Sequence, residues 1–312
     1  MIVKIIKKMR YYYRSKTGHY ILYIPKLIWK FILKILPDKI YIQIKYEDIF
    51  GFKPNLINPQ RFTEKIQWLK LNDRRDIYTI CADKYLVRNY VKEKIGSKHL
   101  IPLVFVTDNS LDITENNLPD YPVILKTNHD SGKNFVILNK KEVDFIKLRK
   151  ELHKKMKRNH YYLNREWEYK NIKPKIIIEK LLKDDSGNTL LNDYKIHCFN
   201  GKPLFIQTIF DRGIETKEDW FDINWNPLDV YYFSPIKKHP KKPLLLNELL
   251  RVAQKLSEEF IYVRVDLYIS NGQVYFGELT FRPAGGFMKF KPDFFDFELG
   301  KYLSLKYIKN EQ

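Results

Sequence analysis

The chain contains 312 residues, of which 44% are hydrophobic and 15% aromatic. This composition is typical of a folded protein with one large domain or two to three small ones, and it excludes an intrinsically disordered chain. The formal net charge of +19 favours anionic partners such as nucleotides, phosphates, acidic polymers or a membrane surface. A general bias of the chain toward lysine is the alternative explanation.

The first 45 residues carry eleven lysines and arginines against one acid, Asp38. Apolar residues over 24–35 follow helical spacing, and Lys26, Lys30 and Lys34 form one stripe. Lysines at four-residue intervals argue against a membrane-spanning helix. Two interpretations remain. The segment lies on an anionic membrane surface, where each basic residue contributes about 1 kcal/mol, or it packs on the body of the protein.

Helical patterns continue from residue 61 to residue 95. Thr63 and Glu64 precede an apolar run, and Asp83 is predicted to be the N-cap of a further helix that ends at Gly96. Residues 1–82 are therefore predicted to form a basic, mainly helical N-terminal region. Cys81 and Cys198 are the two cysteines and share no metal-binding spacing, which argues against Cys/His zinc sites. With no signal-peptide pattern, they predict a cytoplasmic protein.

From His99 onward the pattern changes to short strands separated by turns. A polar loop with one glycine, residues 128–133, separates two of them. A helix predicted over 142–157 carries a run of lysines and arginines that is most simply a solvated face, and nucleic-acid binding is less favoured. The predicted strands are 100–107, 123–127, 135–138, 175–179, 192–199 and 204–209, and a later helix is predicted over 245–260.

Residues 262–286 are predicted to begin with a β-hairpin whose turn contains an Asn-Gly pair. With a two-residue loop, Asp266 and Glu278 would lie on opposite faces, because side chains alternate along a strand. A three-residue loop from Ser270 to Gly272, with a bulge at Gly272, places both on one face and the apolar residues on the other. We therefore predict that loop and two adjacent carboxylates, a suitable seat for a hard divalent cation.

Several catalytic motifs are absent from the sequence. It contains no P-loop, no Gly-x-Gly-x-x-Gly after a strand, no Gly-x-Ser-x-Gly elbow and no His-Arg-Asp kinase loop. An Asp-x-Asp triplet, often used by sugar-nucleotide transferases to hold a metal, is also missing. What remains is a distributed set: two carboxylates on a late hairpin, lysines on earlier strands, and one glycine-bearing loop.

Five sequence blocks contain that set. They are NP (58–59) with FTEKIQWLK (62–70), CADK (81–84), LKTNHDSG (125–132), DYK (193–195) with FNGKP (199–203), and VRVDLY (263–268) with YFGELTF (275–281). In this order they resemble the ATP-grasp superfamily. The resemblance is greatest to the branch related to the teichuronopeptide-biosynthesis protein TupA, often labelled as glycosyltransferases. It extends from about Asn58 to Leu305.

The resemblance implies an α+β ATP-grasp fold, in which two α+β subdomains hold ATP between them after the helical N-terminal region. The first subdomain is expected over residues 83–180. The second, with the metal-binding hairpin, is expected over residues 181–312. ATP and Mg²⁺ are the implied cofactors. The α/β domain that usually precedes the grasp is not evident, because residues 1–82 have helical patterns.

The resemblance also implies roles for individual residues. Thr280 stands where the superfamily often has asparagine, and its hydroxyl is a weaker metal ligand that is expected to act through water. The implied sets are Lys84, Lys126, Ser131, Gly132 and Lys195 for the phosphates, Glu179, Leu181 and Leu182 for the adenine hinge, Asp193 for the ribose, and Asp266, Glu278 and Thr280 for the metal.

Three further residues are assigned to the reacting groups. Arg264 is expected beside the transferring phosphoryl group, and Arg282 is placed to clamp a carboxylate or phosphate. His129 is expected to hydrogen-bond the reacting group, with a loop histidine of no catalytic role as the equal alternative. The structural alternative for Asp266 and Glu278 is a cross-strand pair neutralised by the two arginines.

The implied function is an ATP-dependent carboxylate–amine ligase that works through an acyl phosphate. The branch resemblance suggests that it joins amino acids to an anionic cell-surface polysaccharide or polymer at the inner face of a membrane. Two alternatives stay open. One is a glycosyltransferase of capsule or cell-wall polysaccharide biosynthesis, and the other is a non-catalytic basic adaptor in surface-polymer assembly.

Overall fold

The computed structural model describes residues 34–132, 134–184, 187, 189, 191–210, 217–232, 234–235 and 239–305. The amphipathic segment predicted over residues 24–35 lies outside these ranges except for its last two residues. Its contact with a membrane therefore stays a prediction. Within the described ranges, no helix is long and apolar enough to cross a membrane.

The described part of the N-terminal region is helical. Asp83 accepts hydrogen bonds at Oδ1 from the backbone N–H groups of Tyr85 (2.8 Å) and Leu86 (3.2 Å). These bonds close a turn, so the helix that follows begins at Val87, later than predicted, and ends as predicted at Gly96 (φ 87°). The helices before the first strand are α1 (Asp38–Phe50), α2 (Phe62–Asn72), α3 (Asp76–Ala82) and α4 (Val87–Ile95).

The first sheet consists of β1 (Leu103–Thr107), β2 (Val123–Thr127), β3 (Phe135–Ile137) and β4 (Ile176–Lys180), with α5 (Phe145–Met156) packed on it. It is antiparallel, with the order β1-β4-β2-β3. The central strand β4 buries residues 176–178, which explains its apolar sequence without alternation. Leu148 and Leu152 of α5 join the same core. The short helix α6 (Tyr161–Asn164) precedes β4.

The second sheet consists of β5 (Asp193–Phe199), β6 (Lys202–Phe210), β7 (Lys217–Asp222), β8 (Pro227–Leu228), β9 (Ser234–Pro235), β10 (Tyr262–Ser270) and β11 (Gln273–Thr280). The order is β11-β10-β5-β6-β7-β8, and β9 pairs with β7. Helix α7 (Leu246–Ser257) covers one face through Leu249, Val252 and Leu256, which pack with Val263 and Val265 of β10. Alternation along β10 therefore turns its polar residues to the opposite face.

The turn of the β10–β11 hairpin differs from the prediction. Ser270 pairs with Gln273, so the loop has two residues and not three. Asn271 (φ 49°) and Gly272 (φ 68°) are both left-handed, as a type I′ turn requires. The predicted three-residue loop with its bulge at Gly272 is wrong, because the Asn-Gly pair satisfies this turn by itself.

The bulge lies instead at Gly277, inside β11. Leu267 pairs with Phe276, whereas Asp266 pairs with Glu278, so Gly277 is the extra residue between the two pairs. This confirms the prediction that the two carboxylates lie side by side. It also explains the glycine, because a Cβ there would lie 2.9 Å from the carbonyl oxygen of Asp266.

A buried carboxylate fixes the last described helix, α8 (Phe294–Tyr302), to the start of α2. Asp296 accepts hydrogen bonds from the backbone N–H of Thr63 (2.9 Å) and from its hydroxyl (2.7 Å). Burial raises the pKa of Asp296 to about 6, and the Thr63 hydrogen bonds and Arg61 only partly oppose this. The ionised form is therefore less favourable in the folded protein than in the unfolded chain.

We expect Asp296 to make the protein less stable as the pH rises. Its folded pKa of about 6 exceeds the ordinary 3.8, so its contribution is fully present below that ordinary value and is lost as the pH rises through about 6. The free energy of unfolding of Asp296→Asn, measured with urea, should therefore rise relative to that of the wild type by roughly 2 kcal/mol between about pH 4 and about pH 7.5. Asp293→Asn, an exposed control on the same helix end, should not. A pH-independent difference for Asp296→Asn would contradict the expectation.

Candidate active site

The polar face of the second sheet brings several predicted site residues together. Asp266 on β10 lies between Glu278 on β11 and Lys195 on β5 in the strand register. Lys195 Nζ donates a hydrogen bond to Asp266 Oδ2, and both side chains are buried. Asp193 begins β5 on the same face as Lys195 and is also buried.

Arg264 connects the two carboxylates. Its Nε and Nη2 donate to the two oxygens of Asp266, each at 2.7 Å, in a bidentate pair. Nη2 also lies 3.4 Å from Glu278 Oε1 and donates to Thr280 Oγ1 at 3.1 Å. The Thr280 hydroxyl donates to Glu278 Oε1 at 2.9 Å. Arg264 therefore supplies half of the neutralisation that the structural alternative requires.

Both carboxylates are held in the ionised form. Burial raises the pKa of Asp266, but Arg264 and Lys195 outweigh it, and the pKa lies below its ordinary value. Burial and the neighbouring carboxylate raise the pKa of Glu278, and cations including Lys84 and Lys195 bring it below the ordinary value. The side chain of Glu278 is 35% exposed and that of Asp266 is 2% exposed. Glu278 is therefore the carboxylate that is open to a ligand.

The donor set fits a hard divalent cation. Asp266, Glu278 and Thr280 offer oxygen atoms, which Mg²⁺ prefers. Within the described ranges, no group of three or more His, Cys, Asp or Glu residues is placed to hold a metal ion by itself. A cation held here would take two carboxylates from the protein and its other ligands from phosphate and water.

A second charged group lies on the first sheet. Glu179 on β4 accepts hydrogen bonds from Lys126 Nζ and Arg88 Nη1, each at 2.9 Å. Arg88 also donates to the carbonyl oxygen of Ile101 (3.0 Å). The side chain of Glu179 thus fixes Lys126 in place, which is a different contact from the adenine contact implied by the resemblance.

Lys84 connects the helical region to the polar loop. Its Nζ donates to the carbonyl oxygen of Asp130, and its backbone N–H donates to that of Asn128 (3.1 Å). Burial lowers the pKa of Lys84, whereas Glu278 and Asp130 raise it. The ammonium group is therefore within electrostatic range of the open carboxylate on the other sheet.

His129 lies in the same loop and is turned into the protein. Its Nε2 lies 3.0 Å from the carbonyl oxygen of Arg158, and its Nδ1 lies 3.3 Å from Asn128 Oδ1. Burial lowers its pKa. Ser131 and Gly132, by contrast, are exposed at the tip of the loop. These contacts favour the alternative in which His129 holds the loop, and its predicted catalytic contact stays a prediction.

A cavity of about 240 Å³ opens between the two sheets. Leu181 and Leu182 line it, together with Ile124 and Lys126 of β2 and Tyr268 of β10. Its largely apolar wall with a few polar groups suits a planar base. The backbone N–H of Leu181 donates to the carbonyl oxygen of Pro122 (3.0 Å), which holds the segment after β4 against the first sheet.

Arg282 follows β11 and is buried. It is 2% exposed, its guanidinium carbon lies 5.1 Å from the centre of the Tyr78 ring, and its Nη1 donates to the carbonyl oxygen of Phe281 (3.0 Å). Among the described residues, it forms no hydrogen bond or ion pair with Asp266 or Glu278. It therefore does not neutralise the pair, and its role as a substrate clamp stays a prediction.

Three residues near the site were not predicted from the sequence. Arg88 contacts Glu179, His160 contacts Ser131, and Tyr169 packs against His160. Arg88 had a usable signal, because it lies one helical turn after Lys84 in a helical pattern. His160 and Tyr169 precede β4 in a segment without regular periodicity, and only the fold brings them to the cleft.

Comparison with known proteins identifies a family that matches most of the chain. A family model described as TupA-like ATPgrasp matches residues 64–304. D-alanine–D-alanine ligase from Bacillus anthracis has a similar structure, with 18% identity over 75% of this chain and 70% of that chain and a TM-score of 0.44. The ATP-grasp ligase PsnB complexed with its minimal precursor has 11% identity over 70% and 59%, with a TM-score of 0.38. The sequence has no match among curated proteins.

Proposed function

The chain belongs to the TupA-like ATP-grasp family, and from this premise we propose that it is an ATP-dependent carboxylate–amine ligase. The observation that carries the proposal is the Asp266–Glu278 pair. Lys195 of β5 pairs with Asp266, Lys84 and Lys195 lower the pKa of Glu278, and the largely apolar cavity opens nearby between the two sheets. A nucleotide with its base in the cavity and its phosphates near the carboxylates would fit this arrangement.

The chemistry consists of two displacements. A substrate carboxylate oxygen attacks the γ-phosphorus of ATP, the bond to the β-phosphate oxygen breaks, and ADP leaves. An amine nitrogen then attacks the acyl carbon, phosphate leaves with the C–O bond pair, and the nitrogen loses a proton. The product is an amide. The protein supplies position and charge neutralisation for both steps.

Each charged residue has a defined task in this proposal. Lys84 and Lys126 bind phosphate oxygens from the first subdomain, and Lys195 and Arg264 place positive charge beside the transferring group. Mg²⁺, when bound at Asp266 and Glu278, would neutralise phosphate charge and orient the γ-phosphate. We assign residues 83–180 to the first subdomain and residues 181–312 to the second.

The proposed acceptor is an anionic cell-surface polysaccharide or polymer, and the proposed donors of the amine are amino acids. The net charge of +19 and the basic first 45 residues support an anionic polymer and work at the inner membrane surface. The resemblance to the teichuronopeptide-biosynthesis branch supports the same substrate class.

One assay tests the function. Purified protein is incubated with Mg-ATP, candidate uronic acids or acidic glycans, and a mixture of amino acids, and ADP release is followed together with the mass of the glycan. We expect ADP release that requires both the glycan and an amino acid, with a mass gain equal to the amino acid minus water. Omitting either substrate is the control.

Two results would contradict the proposal. Consumption of a sugar nucleotide without ATP turnover would indicate a glycosyltransferase. Binding of glycan with no turnover of any nucleotide would indicate a non-catalytic adaptor. In either case the acid pair would need another explanation.

A further inference from the structure

His160 is a buried histidine that the proposed chemistry leaves without a task. It precedes α6 and is 8% exposed. Its Nε2 lies 3.2 Å from Ser131 Oγ at the tip of the polar loop and 3.6 Å from Glu166 Oε2. The ring of Tyr169 packs edge-on against it, with centroids 4.8 Å apart. One nitrogen of a fixed ring thus faces the exposed end of the loop.

The proton on that ring can be placed. Glu166 Oε2, which accepts a hydrogen bond from the side-chain amide of Asn164, approaches the same nitrogen as the Ser131 hydroxyl, so this nitrogen faces an oxygen that already acts as an acceptor. We therefore place the hydrogen on Nε2, where it is donated to Ser131 Oγ. The hydroxyl hydrogen of Ser131 is then free to point into the cleft.

A series of polar contacts connects His160 to the turn that follows β11. Glu166 Oε2 also accepts from the side-chain amide of Asn164 (3.0 Å), and the carbonyl oxygen of Asn164 accepts from Lys70 Nζ (2.8 Å). Lys70 donates as well to the carbonyl oxygen of Gly285, in the turn after β11. The imidazole is thus held in a buried polar network rather than on a free loop.

The surroundings of His160 favour its neutral form. Burial is the largest influence and lowers the pKa of His160; Asp130 raises it, Lys84 lowers it, and Glu168 and Glu278 raise it. The resulting pKa lies below the ordinary value, which keeps the ring neutral at neutral pH. A neutral ring donates one hydrogen bond without adding a charge that would compete with Lys84.

We propose that His160 is a positioning residue for ATP, which acts by orienting the Ser131 hydroxyl toward a phosphate oxygen. The proposal rests on the ATP-dependent function proposed above. It assigns to Ser131 a directed donor, and to His160, Glu166 and Lys70 the task of fixing that direction. Nothing in this role requires His160 to touch the substrate.

A double-mutant cycle tests the coupling. The dissociation constant of Mg-ATP is measured by calorimetry for the wild type, His160→Ala, Ser131→Ala and the double variant. We expect His160→Ala to weaken binding roughly tenfold in the presence of Ser131, the equivalent of one hydrogen bond. In the Ser131→Ala background the same change should have no further effect. Independent losses that multiply would overturn the proposal.

Three controls separate positioning from damage to the fold. His160→Gln keeps an N–H at the place of Nε2 and should restore most of the affinity, whereas a purely structural role predicts no such rescue. The exposed His153 on α5 provides the matched change His153→Ala, which should bind as the wild type does. AMP, which lacks the outer phosphates, should bind all variants alike, and an equal loss for AMP would count against the proposal.

The wild-type titration separates this inference from the proposed function. A wild type that binds no Mg-ATP overturns both. A wild type that binds Mg-ATP, with variants whose losses are independent, overturns the role of His160 alone. Intact coupling in a protein that forms no amide overturns the ligase and retains the role of His160.

Discussion

Glu278→Gln is expected to reduce Mg-dependent ATP turnover by roughly a thousandfold while leaving the protein folded. The amide has the size of the carboxylate but lacks the charge that a hard cation requires. Because the side chain of Glu278 is 35% exposed, the change leaves no deeply buried group without its partner. ADP release measures the first effect, and the thermal midpoint of unfolding measures the second.

Asp266→Asn is a less specific probe of the same site. Asp266 is 2% exposed and is in contact with both Arg264 and Lys195. Removing its charge leaves two buried cations with one acid fewer between them, which should destabilise the protein by about 3 kcal/mol. A loss of activity in this variant therefore mixes metal binding with stability. Glu278 separates the two better, because its side chain is 35% exposed and Asp266 still pairs with Arg264 and Lys195 in the Glu278 variant.

Glu298→Gln is the matched control. Glu298 is an exposed acid on α8, outside the hairpin, that pairs with Lys301, and the change should alter neither turnover nor stability. If Glu278→Gln retained wild-type turnover, the metal interpretation would be wrong. If it destabilised the protein without weakening nucleotide binding, the pair with Arg264 would be structural.

The hairpin shows how far sequence reasoning reaches. Side chains alternate along each strand, so Asp266 and Glu278 can share a face only if the hairpin contains one extra residue between them. The register confirms that requirement. The position of that residue depended on a conflict between two local rules. The Asn-Gly pair favours a two-residue turn, whereas alternation requires a bulge. The protein satisfies both by moving the bulge to Gly277, and an isolated glycine inside a strand was the signal for it.

The contacts between the charged residues were harder to predict from the sequence. Glu179 had an assigned role, but its choice of Arg88 and Lys126 depends on the distance between α4 and two strands. His160 contacts Ser131 across 29 positions of sequence. Local periodicity predicts which residues face a cleft, but it contains no information about which of them meet. That choice is made by the packing of elements that are distant in the chain.

Gly277→Ala is expected to weaken Mg-ATP binding by about a hundredfold and to destabilise the protein by about 2 kcal/mol. The new Cβ would lie 2.9 Å from the carbonyl oxygen of Asp266 and 2.8 Å from Cε2 of Tyr268. The first contact is with backbone, so the strands must separate or the register must shift. Either movement displaces Glu278 from its position opposite Asp266. Calorimetric titration with Mg-ATP and urea unfolding measure the two effects.

Gly272→Ala is the matched control on the same hairpin. A Cβ at Gly272 meets no atom within 4 Å, but the left-handed φ of 68° makes the substitution strained. It should therefore destabilise the protein by about 1 kcal/mol without changing the affinity for Mg-ATP. Equal affinities for the Gly277 variant and the wild type would show that the bulge does not set the metal geometry. If the affinity for Mg-ATP fell in both variants only in proportion to their loss of stability, Gly277 would be needed for folding alone. The two carboxylates would then tolerate a change in register.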